Sequence, residues 1–300
     1  MLSWRISHHE RTSAHVSPSA FAEAGHRHLR RSRLFSHAAA CTLLSCDRIR
    51  FINDFDDALQ ALEDGHIDLA VLPLENSSAG SVLAILDGLV RHPNLSIIAE
   101  TALPIHHVLA LSHVSRAENI TTVISHEQAL RQTRHYWRSK GWQSRLASST
   151  AAAARTLAAS GQSREAAICS AFAADIYGLD IVDRNIQDAE SNTTRFVLLA
   201  DRKAPPLHNL PADKGAYTFM LPHRSGALLK VLQAFANARA NLVKLESRPV
   251  PQKPFEYRFF VDVDLHTGNP AQALADCRPL WTNALCLGEY PVLKTCSKIK

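Results

Sequence analysis

The sequence predicts an α/β protein of two lobes, followed by a smaller α+β unit with a ferredoxin-like arrangement. Short apolar runs alternate with helical patterns between residues 50 and 200, which is typical of βαβ units built on an open sheet. Residues 201–214 are rich in proline and show no periodicity, as expected of a linker. Residues 215–292 then alternate strands with amphipathic helices in the order βαββαβ.

The first lobe is predicted from a regular succession of elements. Ser36 is placed to cap a helix, residues 50–53 form a short strand, and residues 56–64 form a helix. A strand at residues 67–72 and a further helix from residue 82 complete the unit. This alternation of strands and helices predicts a mostly parallel sheet.

The loop after residue 72 carries a first group of polar side chains, Glu75, Asn76, Ser77 and Ser81. They lie between the end of a predicted strand and the start of a helix, where free N–H groups and the helix dipole favour an anionic ligand. Plain helix capping by serine or asparagine explains the same residues equally well.

The second lobe is predicted from strand-to-helix turns that begin with a serine: Ser125, Ser149 and Ser170. Ser125 and His126 could dock a small acid at such a turn, although a histidine that merely starts a helix is the more common case. His106 and His107 are disfavoured as metal ligands, because adjacent residues of a strand point to opposite faces.

The most informative stretch runs from Asn192 to Phe196, at the entry of a polar loop into an apolar strand. Arg195 offers a planar fork of donors that matches a carboxylate, and Thr194 places a hydroxyl beside it. On these residues alone, the alternative is a turn threonine next to an arginine paired with Asp188 or Glu190.

The composition excludes several classes of protein. No apolar run approaches the roughly 18–20 residues of a membrane span. Six cysteines without C-x-x-C spacing argue against a zinc site, and a chain this long and apolar is expected to keep reduced, cytosolic thiols. The net charge of +5 arises at the two ends of the chain, so the folded part shows no basic footprint for nucleic acid.

Residues 1–34 form an atypical N-terminal segment, rich in histidine, arginine and serine. The segment lacks the apolar core of a secretory signal. Its arginine-rich, acid-poor composition is shared by organelle transit segments, and a disordered start fits equally well.

Motifs in order along residues 35–291 resemble the prephenate dehydratases that carry a C-terminal ACT regulatory domain. The matching stretches are Phe35–His37, Leu72–Ser77 with Gly80–Val82, Ser125–His126 with Gln128–Leu130, Ser149–Ala151, Tyr177–Leu179, Asn185–Asp188, Asn192 with Thr194–Phe196, Gly226–Leu228, Glu246–Pro249 and Pro254–Tyr257.

The resemblance implies a periplasmic-binding-protein-like catalytic region at residues 35–200, with its second lobe at about 105–180, and an ACT domain at 215–292. The implied reaction converts prephenate to phenylpyruvate, water and carbon dioxide, with no cofactor and no metal. Thr194 would hydrogen-bond the leaving hydroxyl, Arg195 would hold a carboxylate, and Glu75 would orient the loop or supply a proton. The implied substrate contacts are Ser36, Asn76, Ser77, Ser81, Ser125, His126, Gln128, Ser149 and Asn192, with Phe196 packed beneath the site.

The resemblance also implies feedback inhibition by L-phenylalanine and a homodimer or tetramer formed through ACT sheets. The implied effector residues are Gly226, Ala227, Leu228, Asn241, Glu246, Ser247, Arg248 and Pro249.

Three departures from the family pattern keep alternatives open. Residues 30–34 replace a Gly-Pro-x-Gly-Thr loop, which removes a close backbone approach to the ligand and, with the first strand missing, leaves a sheet edge exposed. Ser225 replaces a proline, and Ala240 replaces a glycine. The alternatives are a non-catalytic phenylalanine-binding or regulatory protein and an arogenate dehydratase; a solute-binding protein is disfavoured, since no secretory signal is present.

Overall fold

The structure is a computed structural model of the chain. It describes residues 2–4, 36, 39–40, 43, 50–52, 54–160, 164–189, 192–204, 210–251, 253 and 255–293. Most of the atypical segment at residues 1–34, including residues 30–34 where the family motif is absent, lies outside the described residues.

The described elements fall into three sheets with flanking helices. In chain order the strands are β1 (Leu2–Trp4), β2 (Arg50–Phe51), β3 (Leu69–Asn76), β4 (Gly80–Ser81), β5 (Leu95–Pro104), β6 (Val108–Leu111), β7 (Thr122–Ser125), β8 (Gln143–Leu146), β9 (Glu165–Cys169), β10 (Asp180–Arg184), β11 (Thr193–Asp201), β12 (Lys214–Met220), β13 (Leu242–Pro249), β14 (Tyr257–Asp264), β15 (Thr282–Tyr290) and β16 (Val292–Leu293). The helices are α1 (Phe55–Glu63), α2 (Leu83–Arg91), α3 (Glu127–Gln132), α4 (Arg134–Ser139), α5 (Thr150–Ser160), α6 (Ala171–Tyr177), α7 (Ala227–Asn237) and α8 (Pro270–Cys277). None of the helices described here is long and apolar enough to cross a membrane.

The first sheet has the strand order β16-β5-β11-β3-β1-β2, with β4 beside β3. The predicted mostly parallel sheet is wrong for this lobe, because β11 returns from the second lobe and lies antiparallel between β3 and β5. β3 also continues through Glu75 and Asn76, which were expected in a loop, since β11 pairs with it up to that point. The exposed edge expected from a missing first strand is not observed, because β1 pairs with β3 there.

The second sheet has the order β10-β6-β9-β7-β8, and its strands lie between residues 108 and 184. β7 pairs in parallel with β8 and β9, as expected for strands joined by helices. The two α/β lobes predicted from the sequence are therefore confirmed.

The C-terminal unit has the antiparallel order β13-β14-β12-β15 and the element order βαββαβ, which confirms the predicted ferredoxin-like arrangement. The chain enters this unit at Lys214 and leaves it at Tyr290, and these two residues are paired neighbours on β12 and β15. It then returns to the first lobe, where β16 pairs in parallel with β5. No local sequence pattern predicted this last strand.

One hydrophobic core joins the first lobe to the C-terminal unit. Helices α1 and α2 pack on the first sheet through apolar residues such as Leu59 and Leu86. Phe260, Leu287 and Tyr290 of the C-terminal unit are buried in the same cluster. The unit is therefore fixed against the sheet that carries β3 and β11.

Candidate active site

A cavity of about 480 Å³ lies between the two lobes. The first lobe contributes strands β3 and β11, and the second lobe contributes the starts of helices α3 and α5. The lining residues are Ser36, Phe55, Pro73, Asn76, Val82, Ile105, His107, His126, Gln128, Ala129, Gln132, Ser148, Ser149, Thr150, Thr194 and Phe196.

Thr194 and Asn76 form the polar centre of the first-lobe wall. The antiparallel register places them directly opposite each other on β11 and β3, and the Asn76 Nδ2 group donates to Thr194 Oγ1 at 2.8 Å. Both residues are 8% exposed. Because Thr194 Oγ1 accepts this hydrogen bond, its own O–H is left to donate in another direction.

The orientation of the Asn76 amide is fixed by the backbone that follows it. Its Oδ1 atom accepts hydrogen bonds from the N–H groups of Ser78 and Ala79, both at 3.0 Å. The Nδ2 group must therefore face Thr194. Across the cleft, the Gln128 Nε2 group donates to the same Oδ1 atom at 3.3 Å, so the two lobes meet at this amide.

The second-lobe wall consists of two helix starts. His126 caps α3, where its Nδ1 atom accepts from the Gln128 N–H. The Ser149 Oγ atom accepts from the Ala152 N–H at the start of α5. Helix N-termini carry partial positive charge, so this wall suits a carboxylate.

His107 and Gln132 are cavity residues that the sequence analysis did not select. His107 is 2% exposed, and its Nε2 atom lies 3.0 Å from Gln132 Oε1. Burial lowers the pKa of the His107 imidazole, and His106 lowers it further, although the hydrogen bond to Gln132 opposes the shift. The alternation of faces that argued against a metal site already implied that one of the two adjacent histidines faces inward.

Arg195 and Glu75 lie on the opposite face of the same strand pair, so the prediction that they act on the substrate does not fit the structure. Successive side chains of a strand alternate between faces, and Thr194 already faces the cavity. The Arg195 guanidinium instead binds Glu75 at 2.5 Å, Glu100 at 2.6 Å and Asp262 of β14 at 2.7 Å. The alternative pairing with Asp188 is also not observed, since the Asp188 carboxylate accepts from the His135 N–H; Glu190 lies outside the described residues.

Two lysines extend this network behind the cavity. Lys214 binds Glu100 at 2.8 Å, and Lys244 binds Glu75 at 3.1 Å. Burial raises the pKa of both glutamates, but the adjacent cations outweigh it, and each pKa lies below its ordinary value. Both carboxylates are therefore ionised near neutral pH, and the network balances three cations against three anions.

Three other predicted contacts, all serines, hold the structure together rather than line the cavity, and a fourth residue, Asn192, lies next to the cavity. Ser125 is fully buried and donates to the Ile168 carbonyl at 2.6 Å. Ser81 donates to Glu246 at 3.0 Å, and the Ser77 Oγ atom accepts from the Thr193 N–H at 3.0 Å. Asn192 lies in a smaller adjoining pocket of about 190 Å³. The three serines were expected at the substrate because sequence position does not show which polar groups the fold itself uses.

No group of three or more histidine, cysteine, aspartate or glutamate side chains that could hold a metal ion occurs among the described residues. The cavity contains hydroxyl, amide and imidazole groups, which suit hydrogen bonding to a polar substrate.

Comparison with known proteins identifies the family to which this site belongs. A family model described as prephenate dehydratase matches residues 32–204. The chain belongs to the prephenate dehydratase family.

Members of the family and related structures cover most of the chain. An arogenate dehydratase/prephenate dehydratase of Arabidopsis thaliana, number 6 and chloroplastic, is 37% identical over 282 residues, which cover 86% of this chain and 66% of the relative. The structure of prephenate dehydratase from Arthrobacter aurescens in complex with L-Phe is 32% identical, with a TM-score of 0.71 and coverage of 80% of each chain. GqqA, described as a novel type of quorum quenching acylase, is 29% identical, with a TM-score of 0.70 and coverage of 81% of this chain and 88% of that one.

The residues expected to bind an effector in this dehydratase-family chain lie on α7 and β13. Gly226 precedes α7 with a φ angle of +80°, which glycine adopts without strain. On β13 the side chains alternate, and those of Glu246 and Arg248 face the first lobe. Glu246 accepts from Ser81, and Arg248 binds Asp87 of α2 at 2.6 Å.

Proposed function

We propose that the chain is a prephenate dehydratase, which converts prephenate to phenylpyruvate with loss of water and carbon dioxide. The observation that carries this proposal is the Thr194 hydroxyl, which accepts from Asn76 and is thereby left to donate into the cavity. Family membership supports the reaction, and the relative from Arabidopsis is named for both arogenate and prephenate. Arogenate therefore remains the alternative substrate.

The step that the enzyme must assist is the departure of the ring hydroxyl. The C–O bond to the ring hydroxyl breaks with its electron pair on oxygen, and the electrons of the departing carboxylate enter the ring, which becomes aromatic. A proton must finally join the leaving oxygen to give water. A threonine hydroxyl is too weak an acid to surrender its proton near neutral pH, so we assign Thr194 a hydrogen bond to the leaving oxygen and assign the proton to solvent.

The two substrate carboxylates need partners other than Arg195. We assign the carboxylate that the product keeps to the starts of α3 and α5, where His126 and Ser149 cap the helices at the cavity wall. Gln128 and Asn76 join the lobes above the substrate. Closure of the cleft then excludes water and favours loss of carbon dioxide from a poorly solvated carboxylate.

We also propose that the C-terminal unit is an ACT domain that binds L-phenylalanine as a feedback inhibitor, within a homodimer or tetramer. The ferredoxin-like arrangement supports this assignment, and so does the relative solved with L-Phe. The contacts of Glu246 and Arg248 with the first lobe provide a route from the effector residues to the strand that carries Asn76. The described cysteines are free thiols, which favours a reducing compartment such as the cytoplasm or a plastid.

The test is turnover of prephenate and of arogenate by the purified chain, beside Thr194→Ala. We expect kcat in the variant to fall about 100- to 1,000-fold, the loss that follows removal of a donor to a developing oxyanion. Thr193→Ala is the matched control, because its side chain lies on the other face of β11, and it is expected to keep its activity. Turnover that survives in Thr194→Ala would contradict the assigned role, and wild-type inactivity on both substrates would contradict the function.

A further inference from the structure

His107 lies where the chain crosses between the lobes. It lies two residues after Ile105, and the second crossing joins β10 to β11. The two crossings are bonded to each other: the Ile105 N–H donates to the Asn192 carbonyl at 2.7 Å, and the Ile186 N–H donates to the His107 carbonyl at 3.1 Å. The backbone of His107 is therefore fixed at the hinge of the cleft.

A line of side-chain hydrogen bonds runs from His107 to Thr194. Gln132 Oε1 lies 3.0 Å from His107 Nε2 and accepts from Asn192 Nδ2 at 3.2 Å. Asn192 Oδ1 accepts from Asn76 Nδ2 at 2.8 Å, and the same Nδ2 group donates to Thr194. The line touches the second lobe at Gln132, the hinge at Asn192 and the first lobe at Asn76.

The direction of every bond in this line is determined. The backbone fixes the Asn76 amide, so Asn192 must turn its oxygen toward Asn76 and its N–H groups toward Gln132. The Gln132 Oε1 atom can only accept a hydrogen bond. The His107 imidazole must therefore carry its proton on Nε2 and donate it to Gln132. A neutral imidazole fulfils this role without adding a charge, and burial favours that form.

We propose that His107 is a positioning residue for the dehydration: through Gln132 it holds Asn192, whose Oδ1 atom is the side-chain acceptor that keeps the Asn76 Nδ2 group in place beside the Thr194 hydroxyl. This inference rests on the proposed function and adds a residue to it. His107 acts through other side chains, so its loss leaves the bonding groups in the cavity but loosens Gln132 and Asn192, and the Asn76 Nδ2 group then lacks a firmly held acceptor.

The kinetic test compares His107→Leu with His107→Gln. The leucine variant loses the donor, and we expect its kcat to fall about 5- to 100-fold, the effect of leaving one buried acceptor unpaired, while KM changes little. Glutamine places an N–H group close to the position of the imidazole Nε2 atom, so His107→Gln is expected to recover most of the rate. A glutamine variant as slow as the leucine variant would overturn the proposal, because a donor alone would then not suffice.

The matched control is His92→Leu. His92 is also buried, at 8% exposure, and pairs with Glu63 at 2.5 Å away from the cavity. Its removal is expected to lower Tm while kcat is preserved. Equal losses of kcat in His92→Leu and His107→Leu would overturn the proposal in favour of general destabilisation.

An NMR measurement tests the inference independently of catalytic activity. In ¹⁵N-labelled protein, the side-chain amide signals of Gln132, Asn192 and Asn76 are expected to move in His107→Leu and to stay in place in His92→Leu. If the Asn76 signal does not move in His107→Leu, loss of the imidazole does not reach that amide through Asn192 and the inference fails. If the wild type turns over neither substrate but the Asn76 signal moves, the function fails while the positioning remains.

Discussion

At the scale of single residues, the decisive relation is the alternation of faces along β11. Thr194 faces the cavity, and Arg195 faces the C-terminal unit. Asn76 and Glu75 repeat this division on β3, because the register pairs Thr194 with Asn76 and Arg195 with Glu75. One strand pair thus carries the candidate reaction groups on its front and a charged network on its back.

Arg195→Met tests the network on the back. The substitution leaves Glu75, Glu100 and Asp262 without their shared cation, and we expect a loss of about 3–5 kcal/mol in the free energy of unfolding, measured with urea. Arg145→Met is the control, since Arg145 pairs with Glu165 at the surface and its loss is expected to cost about 1 kcal/mol or less. Similar losses in both variants would mean that burial adds nothing to the Arg195 pairs.

The sequence was sufficient to predict that Thr194 and Asn76 lie at the cavity, whereas Arg195, which was expected there too, faces the C-terminal unit. Period-two alternation is visible in any strand, and applied to Thr194 and Arg195 it would have sent one of them away from the cavity. The partners of Arg195 could not be found this way, since Glu75 and Asp262 are 120 and 67 residues away along the chain. The same distance in sequence hid the link from His107 to Thr194.

At the scale of elements, β13 carries several of the expected effector residues and contacts the first lobe at α2 and β4. Arg248 on β13 binds Asp87 on α2, and Glu246 binds Ser81 on β4. β4 pairs with the end of β3, opposite Glu75 and Asn76. A shift of β13 on effector binding would therefore be transmitted through β4 to β3, the strand that carries Asn76.

Asp87→Ala tests this connection, because Asp87 belongs neither to the cavity nor to the expected effector residues. Without effector, we expect the activity to be unchanged. The phenylalanine concentration that gives half-inhibition is expected to change about two- to fivefold, because the variant loses one partly exposed ion pair. Asp56→Ala is the control, because Asp56 pairs with Arg91 within the first lobe. An inhibition curve identical to the wild type would show that the Arg248 pair carries no coupling.

The elements were easier to predict than their arrangement. Alternating apolar runs and capping residues located the βαββαβ unit and most helices of the lobes. The antiparallel position of β11 and the short strand β16 depend on pairing between distant segments. Two residues of β16 carry no local pattern that would distinguish them from a tail.

At the scale of the whole molecule, the charged network connects lobe and C-terminal unit and makes stability depend on pH. Burial raises the pKa of Glu100, but Arg195 and Lys214 outweigh it, so the folded-state pKa lies below the ordinary 4.5. The contribution of such a group is complete above about pH 4.5 and is lost as pH falls through the folded-state pKa.

We therefore expect the free energy of unfolding contributed by Glu100 to be constant from pH 7 to about pH 5 and to decline below pH 4.5. Glu100→Gln is expected to be less stable at pH 7 and to lose less stability on acidification, because it has no proton to bind there. Urea unfolding at several pH values measures both curves. Parallel curves for wild type and variant would show that Glu100 does not carry this dependence.

The C-terminal unit enters at Lys214 and leaves at Tyr290, side by side, and β16 then completes an edge of the first sheet. For protein engineering, the unit is therefore an insertion connected to the first lobe at both of its ends, and it is not a removable C-terminal domain. A chimera that exchanges it at a single junction after residue 204 would leave β5 uncovered and prone to pair with another chain. A working exchange would cut at both joints and keep Val292 and Leu293 with the host.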